Sequence, residues 1–340
     1  MTAGLVSVII PSYNGEEFLE AALKSVQWQT YQYWECILVD DGSTDDTALV
    51  FASFAKTDSR FRYHRKENAG PAAARNTGIE FAQGEFIQFL DDDDILLEER
   101  LERCLHEFRL HPEAEIVNSE YVCYSNSEGF YRSLPSRIPD GDTFIAFLCD
   151  QNRTFATPVH SFLFKKEIIE SNKFDTSLGS HAEDVECWVR IAESGARFQS
   201  FDDVQVIYRF TRDSLTQDEA KLLATKVTVL NRYVNHPKVI LHHDHFRDAM
   251  NYFQEHYAIG CFMKRDFRNG LKAMREQFPD SSWKGRIKMI GWFVSMIFVS
   301  RRTVEATRAW IVSHTPFKWG GWKYYRRWTP PESVRRLMLS

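Results

Sequence analysis

Paired cysteines are the first thing this sequence lacks. Its six cysteines (36, 104, 123, 149, 187 and 261) form no CxxC pair and no ligand-like spacing with histidine. That pattern argues against a disulfide framework and a structural zinc site, and fits a reduced, cytosolic compartment. No apolar run reaches the roughly 20 residues a membrane-spanning helix requires. The opening run "LVSVIIP" is short and has no basic flank, so it is expected to be a first buried strand and not a signal peptide. Internal repeats and low-complexity tracts are also missing. At 340 residues the chain suits a main domain of roughly 200 residues with an appendage.

Charge is present but unevenly spread. Residues 281–340 hold twelve Lys and Arg against Glu305 and Glu332, a balance of +10. With −5 overall, the first 280 residues carry −15. The pattern is an acidic body with a basic tail.

Along the first 120 residues, strand-like and helix-like stretches alternate. Apolar runs at Leu5–Ile10, Cys36–Val39 and Phe86–Leu90, with a weaker one at Phe61–His64, read as strands. Glu16–Gln29, Asp45–Lys56 and Ala72–Gln83 read as helices. Buried strands separated by helices predict an α/β domain with a mostly parallel sheet. Ligands in such sheets bind beyond the carboxyl ends of the strands, and the polar clusters "PSYNG", "DDGSTDD" and "DDDD" fall there. Residues 113–215 read as mixed and loop-rich, and 216–280 as helical.

Four motifs carry chemistry. Asp91–Asp94 are four adjacent carboxylates whose mutual repulsion a divalent cation would relieve, since Mg²⁺ and Mn²⁺ take carboxylate oxygens and share them with a diphosphate. The plainer alternative is a helix start, where one or two Asp are common. Asp40 and Asp41 end a strand before Gly42, placed to bond a nucleobase or ribose, or simply to close a capped turn. "NAGPAAARNTG" opens a helix at Pro71; its N-terminus and Arg75 suit an anion, or else the alanines pack and Arg75 is a surface charge. Glu183 and Asp184 begin another helix, either as dipole complements or with one of them a general base.

Taken in order, "VSVIIPSYNGEEFLEAALKSVQWQT", "ILVDDGSTDDT", "NAGPAAARNTGIEFAQGEFIQFLDDDD", "FD" at 174–175 and "AEDVECWVRIAESG" resemble family 2 glycosyltransferases of the GT-A fold. The resemblance spans about residues 5–212. It implies a catalytic domain over 1–215, with a nucleotide-sugar half to about 112 and an acceptor half beyond; helical spacing and charge, not the resemblance, set off the helical region at 216–280 and the basic tail at 281–340. It further implies that Pro11, Tyr13 and Asp41 contact the base, Tyr13 by stacking. Arg75 neutralises the diphosphate, Asp91 and Asp92 lie near ribose and diphosphate, and Asp93 is the metal ligand. Asp184 is the implied base of an inverting single displacement, with Mg²⁺ or Mn²⁺ as cofactor and a UDP-sugar as the expected donor. Asn14, Glu183, Trp188, Arg209 and Arg212 are secondary candidates. Thr211 stands where the family often has the histidine of "YR.H", and Arg209 or Arg212 is expected to take over a diphosphate contact.

QxxRW and multiple spans, the marks of processive synthases in the family, are absent from the sequence, so single addition is expected. The tail interleaves cations with aromatics, as in "FKWGGWKYYRRW". Over 284–328 it suits a membrane surface at the cytoplasmic face, or a rim docked on the acidic body. A lipid-linked glycan acceptor follows from the first of these. Nucleic acid has no accompanying motif. Two rival classes fit less well. A nucleotidyltransferase should open with a glycine-rich phosphate loop, which "PSYNGEE" is not; a non-catalytic scaffold should have lost carboxylates that are all present.

Overall fold

The structure, a computed structural model, describes residues 1–126, 129–131, 134–178, 183–211, 218–277, 329–332 and 334. Nine strands of the described residues form one sheet. They are β1 (Thr2–Ser12), β2 (Trp34–Asp40), β3 (Phe61–Arg65), β4 (Gly84–Phe89), β5 (Ile95–Leu96), β6 (Ile116–Ser125), β7 (Gly129–Tyr131), β8 (Phe162–Lys165) and β9 (Phe198–Arg209). The order is β3-β2-β1-β4-β8-β6-β9-β5, with β7 paired to β6. β3, β2, β1 and β4 run parallel; β8 lies antiparallel between β4 and β6, and β9 runs parallel to β6.

The parallel half forms where the sequence is apolar on both strand faces. Alternate residues point to opposite faces, so Val6, Val8 and Ile10 of β1 join one core with α1 (Leu19–Gln27) and α2 (Thr47–Ala55). Ile9 joins the other core, with α3 (Pro71–Phe81). α4 (Arg100–Leu110) covers the first face near β6. On the second face lie α5 (Thr143–Ile145), α6 (Lys166–Ser171) and α7 (Glu183–Glu193). Further along the chain come α8 (Glu219–Arg232), α9 (Pro237–Leu241), α10 (His243–Met263) and α11 (Phe267–Gln277). α8 and α10 add Val229, Leu230, Ala249 and Phe253 to that same core.

The expected strands and helices of the first 120 residues are present with ends shifted by a few residues. Residues 113–215 are more regular than expected, since β6 and β9 run 10 and 12 residues through the sheet. The cysteines are all free and buried. No helix of the described residues is long and apolar enough to cross a membrane. The basic tail lies outside the described residues except for 329–332 and 334. There Val334 is buried against Ile95, Leu97, Val122 and Ile207.

Candidate active site

The acidic segment leaves the sheet at the carboxyl end of β4, next to the ends of β1 and β2. Three of its four carboxylates have a protein partner. Asp91 accepts from Arg75 Nη2 at 2.8 Å, and Asp92 accepts from Ser12 Oγ at 2.5 Å. Asp94 is completely buried, accepts the backbone N–H of Arg209 at 2.7 Å, and lies 2.7 Å from His160 Nδ1. The carboxylate of Asp93 has no hydrogen-bond partner among the described residues. Burial and the negative charges of Asp94, Asp92 and Asp91 push its pKa well up. Burial likewise raises Asp92 to about 7. An unpartnered carboxylate among like charges fits a hard divalent cation.

The loops after β1 and β2 are tied to one another. Asn14, in the left-handed region at φ 55°, donates its N–H to Ser43 Oγ at 3.0 Å, and its Oδ1 accepts from Thr44 N at 2.8 Å. Gly15 is required by proximity: a Cβ there would come 2.1 Å from Asp92 Oδ2. Pro11 is buried in the strand end, whereas Tyr13 is 53% exposed and free to stack. Asp41 is buried and faces its own chain. It accepts from Lys66 Nζ at 2.8 Å, Gly70 N at 2.7 Å and Ala69 N at 3.1 Å, which holds the entry to α3. Gly70 permits that entry at φ 87°, with Pro71 at the first helical position.

From α3, Arg75 spans the two halves of the site. Its Nη1 donates to Glu183 Oε1 at 2.7 Å while Nη2 holds Asp91, and the guanidinium lies 5.5 Å from the Phe174 ring. The adjacent Asp184 sits in the first turn of α7. Burial, then the charge of Glu183, raise its pKa to about 7, with Arg75 opposing. A carboxylate poised there suits a general base. Trp188 stands behind this layer, fully buried among Phe162, Phe164 and Phe174. Arg209 is brought to the acidic segment, its Nε donating to the Asp93 carbonyl at 2.8 Å. Arg212 lies outside the described residues.

Two residues not anticipated from the sequence complete the floor. His160 precedes β8 and meets Asp94. Arg100 is fully buried without a carboxylate partner, donating to Gln88 Oε1, Ser119 Oγ and the Ser161 carbonyl. A histidine two residues before an apolar strand carries no spacing signal, and Arg100 reads as one more helical charge.

The family model described as Glycosyl transferase family 2 matches residues 7–172. That stretch belongs to glycosyl transferase family 2. The match takes in the acidic segment, Arg75 and His160, and ends before Glu183 and Asp184. A relative from Campylobacter jejuni, "GalNAc(5)-diNAcBac-PP-undecaprenol beta-1,3-glucosyltransferase", is 29% identical over 224 residues, covering 64% of this chain and 68% of its own. The chain spans about a third of the length of the first curated glycosyltransferases it matches. Among solved structures, S. aureus TarS 1-349 in complex with UDP-GlcNAc superposes with a TM-score of 0.61 at 17% identity, covering 90% of this chain and 91% of that one. The mannosyltransferase PcManGT from Pyrobaculum calidifontis, in complex with GDP-Man and Mn²⁺, superposes with a TM-score of 0.54 at 20% identity, covering 91% and 85%. The fold is therefore the GT-A fold.

Proposed function

We propose that this family 2 glycosyltransferase is an inverting, non-processive enzyme that moves one sugar from a nucleotide-sugar donor, preferentially a UDP-sugar, to an acceptor hydroxyl. The observation that carries the reading is Arg75 joining Asp91 to Glu183, which sets the acidic segment beside Asp184. Asp184 takes the proton of the acceptor hydroxyl as its oxygen attacks C1 from the face opposite the leaving nucleoside diphosphate. One carboxylate base suffices, because the leaving group needs its charge neutralised and no proton.

Asp93 is the residue to hold a divalent cation, Mg²⁺ or Mn²⁺, which when bound supplies Lewis-acid neutralisation of the leaving diphosphate. Asp91 and Asp92 line the ribose and diphosphate side. Arg75 contributes positive charge from behind Asp91. Tyr13 stacks on the base, and Asp41 shapes the base pocket by holding residues 69–70. An undecaprenol-linked acceptor in the name of a relative supports a lipid-linked glycan acceptor here. The basic 284–328 stretch supports contact with the cytoplasmic face of a membrane.

A donor screen tests this. The full chain with Mg²⁺ or Mn²⁺ is offered a panel of sugar nucleotides, and diphosphate release is counted with and without lipid extract. Release with one donor, abolished by EDTA and in Asp184→Asn, is the expected result. A protein that binds none of the donors by calorimetry is no transferase of this class.

A further inference from the structure

We propose that His160 is a positioning residue of the acidic segment, acting through Asp94 and staying out of the cation's coordination. This rests on the reading of Asp93 as the cation's ligand. Asp94 faces two neighbours. Oδ1 takes the Arg209 N–H, and Oδ2 lies 2.7 Å from His160 Nδ1 but off-line, so that Oδ2 and both imidazole nitrogens meet no hydrogen-bond partner among the described residues. Arg209 in turn holds the Asp93 carbonyl. One histidine therefore fixes the end of β9 and the backbone of Asp93 together.

His160 is itself fixed from behind. Its carbonyl accepts from Gln88 Nε2 at 2.9 Å, and Gln88 Oε1 accepts from Arg100 Nε at 3.0 Å. Arg100 also holds the neighbouring Ser161 carbonyl at 2.8 Å. The Tyr208 ring lies over the imidazole at 5.5 Å. These hydrogen bonds fix the backbone at His160 and Ser161, and the imidazole they position meets Asp94 by close approach in a buried setting. The output is that Asp91, Asp92 and Asp94 are each held, while Asp93 alone is presented.

The rival assignment is that His160 is a ligand, because Asp91, Asp94 and His160 offer atoms within 4.8 Å of one another. Chemistry argues against it. Mg²⁺ and Mn²⁺ favour carboxylate, carbonyl and water oxygens. Asp94 and His160 have no exposed surface on which coordinated water could sit, and Asp91 is taken by Arg75. Outer residues that orient a ligand set typically govern metal affinity by about 10–100-fold without touching the ion.

The test uses Mn²⁺ alone with the full chain. Electron spin echo modulation of the bound ion reports a coordinated imidazole through its ¹⁴N coupling, and titration of free Mn²⁺ gives affinity. Wild type is expected to show no such coupling. His160→Asn, whose Nδ2 can replace Nδ1, should bind Mn²⁺ within about twofold of wild type, and His160→Leu about tenfold more weakly. A ¹⁴N coupling that disappears in His160→Asn would overturn the proposal, as would wild-type affinity in His160→Leu. Should His160→Leu fail to fold, Asp94→Asn is measured in its place, and undiminished Mn²⁺ affinity there overturns it equally. A wild-type chain that binds a sugar nucleotide but no Mn²⁺ removes this proposal while leaving the transferase reading standing.

Discussion

Arg75 and Glu183 are 108 residues apart in sequence, yet their side chains meet at 2.7 Å with both buried. This pair locks the helix that follows "NAGP" to the helix that carries the proposed base. Removing one partner of such a pair strands the other as a buried charge, which costs about 3–5 kcal/mol. Arg75→Met is therefore expected to lose that much stability in urea unfolding. Adding Glu183→Gln should return a large part of it without restoring activity, because Asp91 remains unheld. Equal stabilities of single and double variants would show that the pair is not coupled.

The environment of Asp184 gives the pH dependence a sign. Burial and Glu183 hold its carboxyl at about 7, and a base works only when ionised. kcat/KM is expected to rise about tenfold per pH unit on the acid side and level off above about pH 7. Glu183→Gln removes a like charge and should move the profile to lower pH. The same shift acts on folding. Between roughly pH 4 and 7 the folded chain keeps a proton the unfolded chain has released, so this group's contribution to stability falls as pH rises. Asp184→Asn should flatten that fall.

Gly15 makes a sharper claim about Asp92. An added Cβ would sit 2.6 Å from Ser12 Oγ as well as on top of the Asp92 carboxylate. Gly15→Ala should displace Asp92 and raise the donor KM by about tenfold, by analogy with the loss of other orienting contacts. Its stability cost should stay near 1 kcal/mol, the middle of the range for single substitutions. A folded Gly15→Ala enzyme with an unchanged donor KM would refute the role given to Asp92.

The parallel half of the sheet was legible because β1, β2 and β4 are apolar on both faces and separated by turn residues. The acidic segment, Arg75 and Asp184 were legible as motifs, and the structure joins them. β6 was not, because Asn118, Ser119 and Glu120 interrupt its apolar run. They are tolerated since Ser136 N donates to Glu120, Arg100 donates to Ser119, and Asn118 donates to the Ser136 carbonyl. β9 was hidden by Asp202 and Asp203, which are exposed where its register with β6 shifts. His160 and Arg100 matter only through partners far along the chain, and local pattern cannot supply those.

The return of the chain at Val334 carries the last prediction. Val334 is 3% exposed and packs with Ile95, Leu97, Val122 and Ile207. Ile95 directly follows Asp94 and pairs with Ile207 in the β5–β9 ladder. Arg209, two residues further on, holds Asp93 and Asp94. The buried valine thus backs the two strands that frame the acidic segment. Val334→Ala should cost about 1–2 kcal/mol from lost apolar burial. Its local mark should be faster amide exchange at Leu97, whose N–H bonds the Gln205 carbonyl, and at Arg209. Leu105→Ala, in a separate core under α4, serves as the control: it should lower global stability without that local mark. If both variants speed exchange at Leu97 and Arg209 equally, the valine supports the fold at large and has no particular hold on the acidic segment.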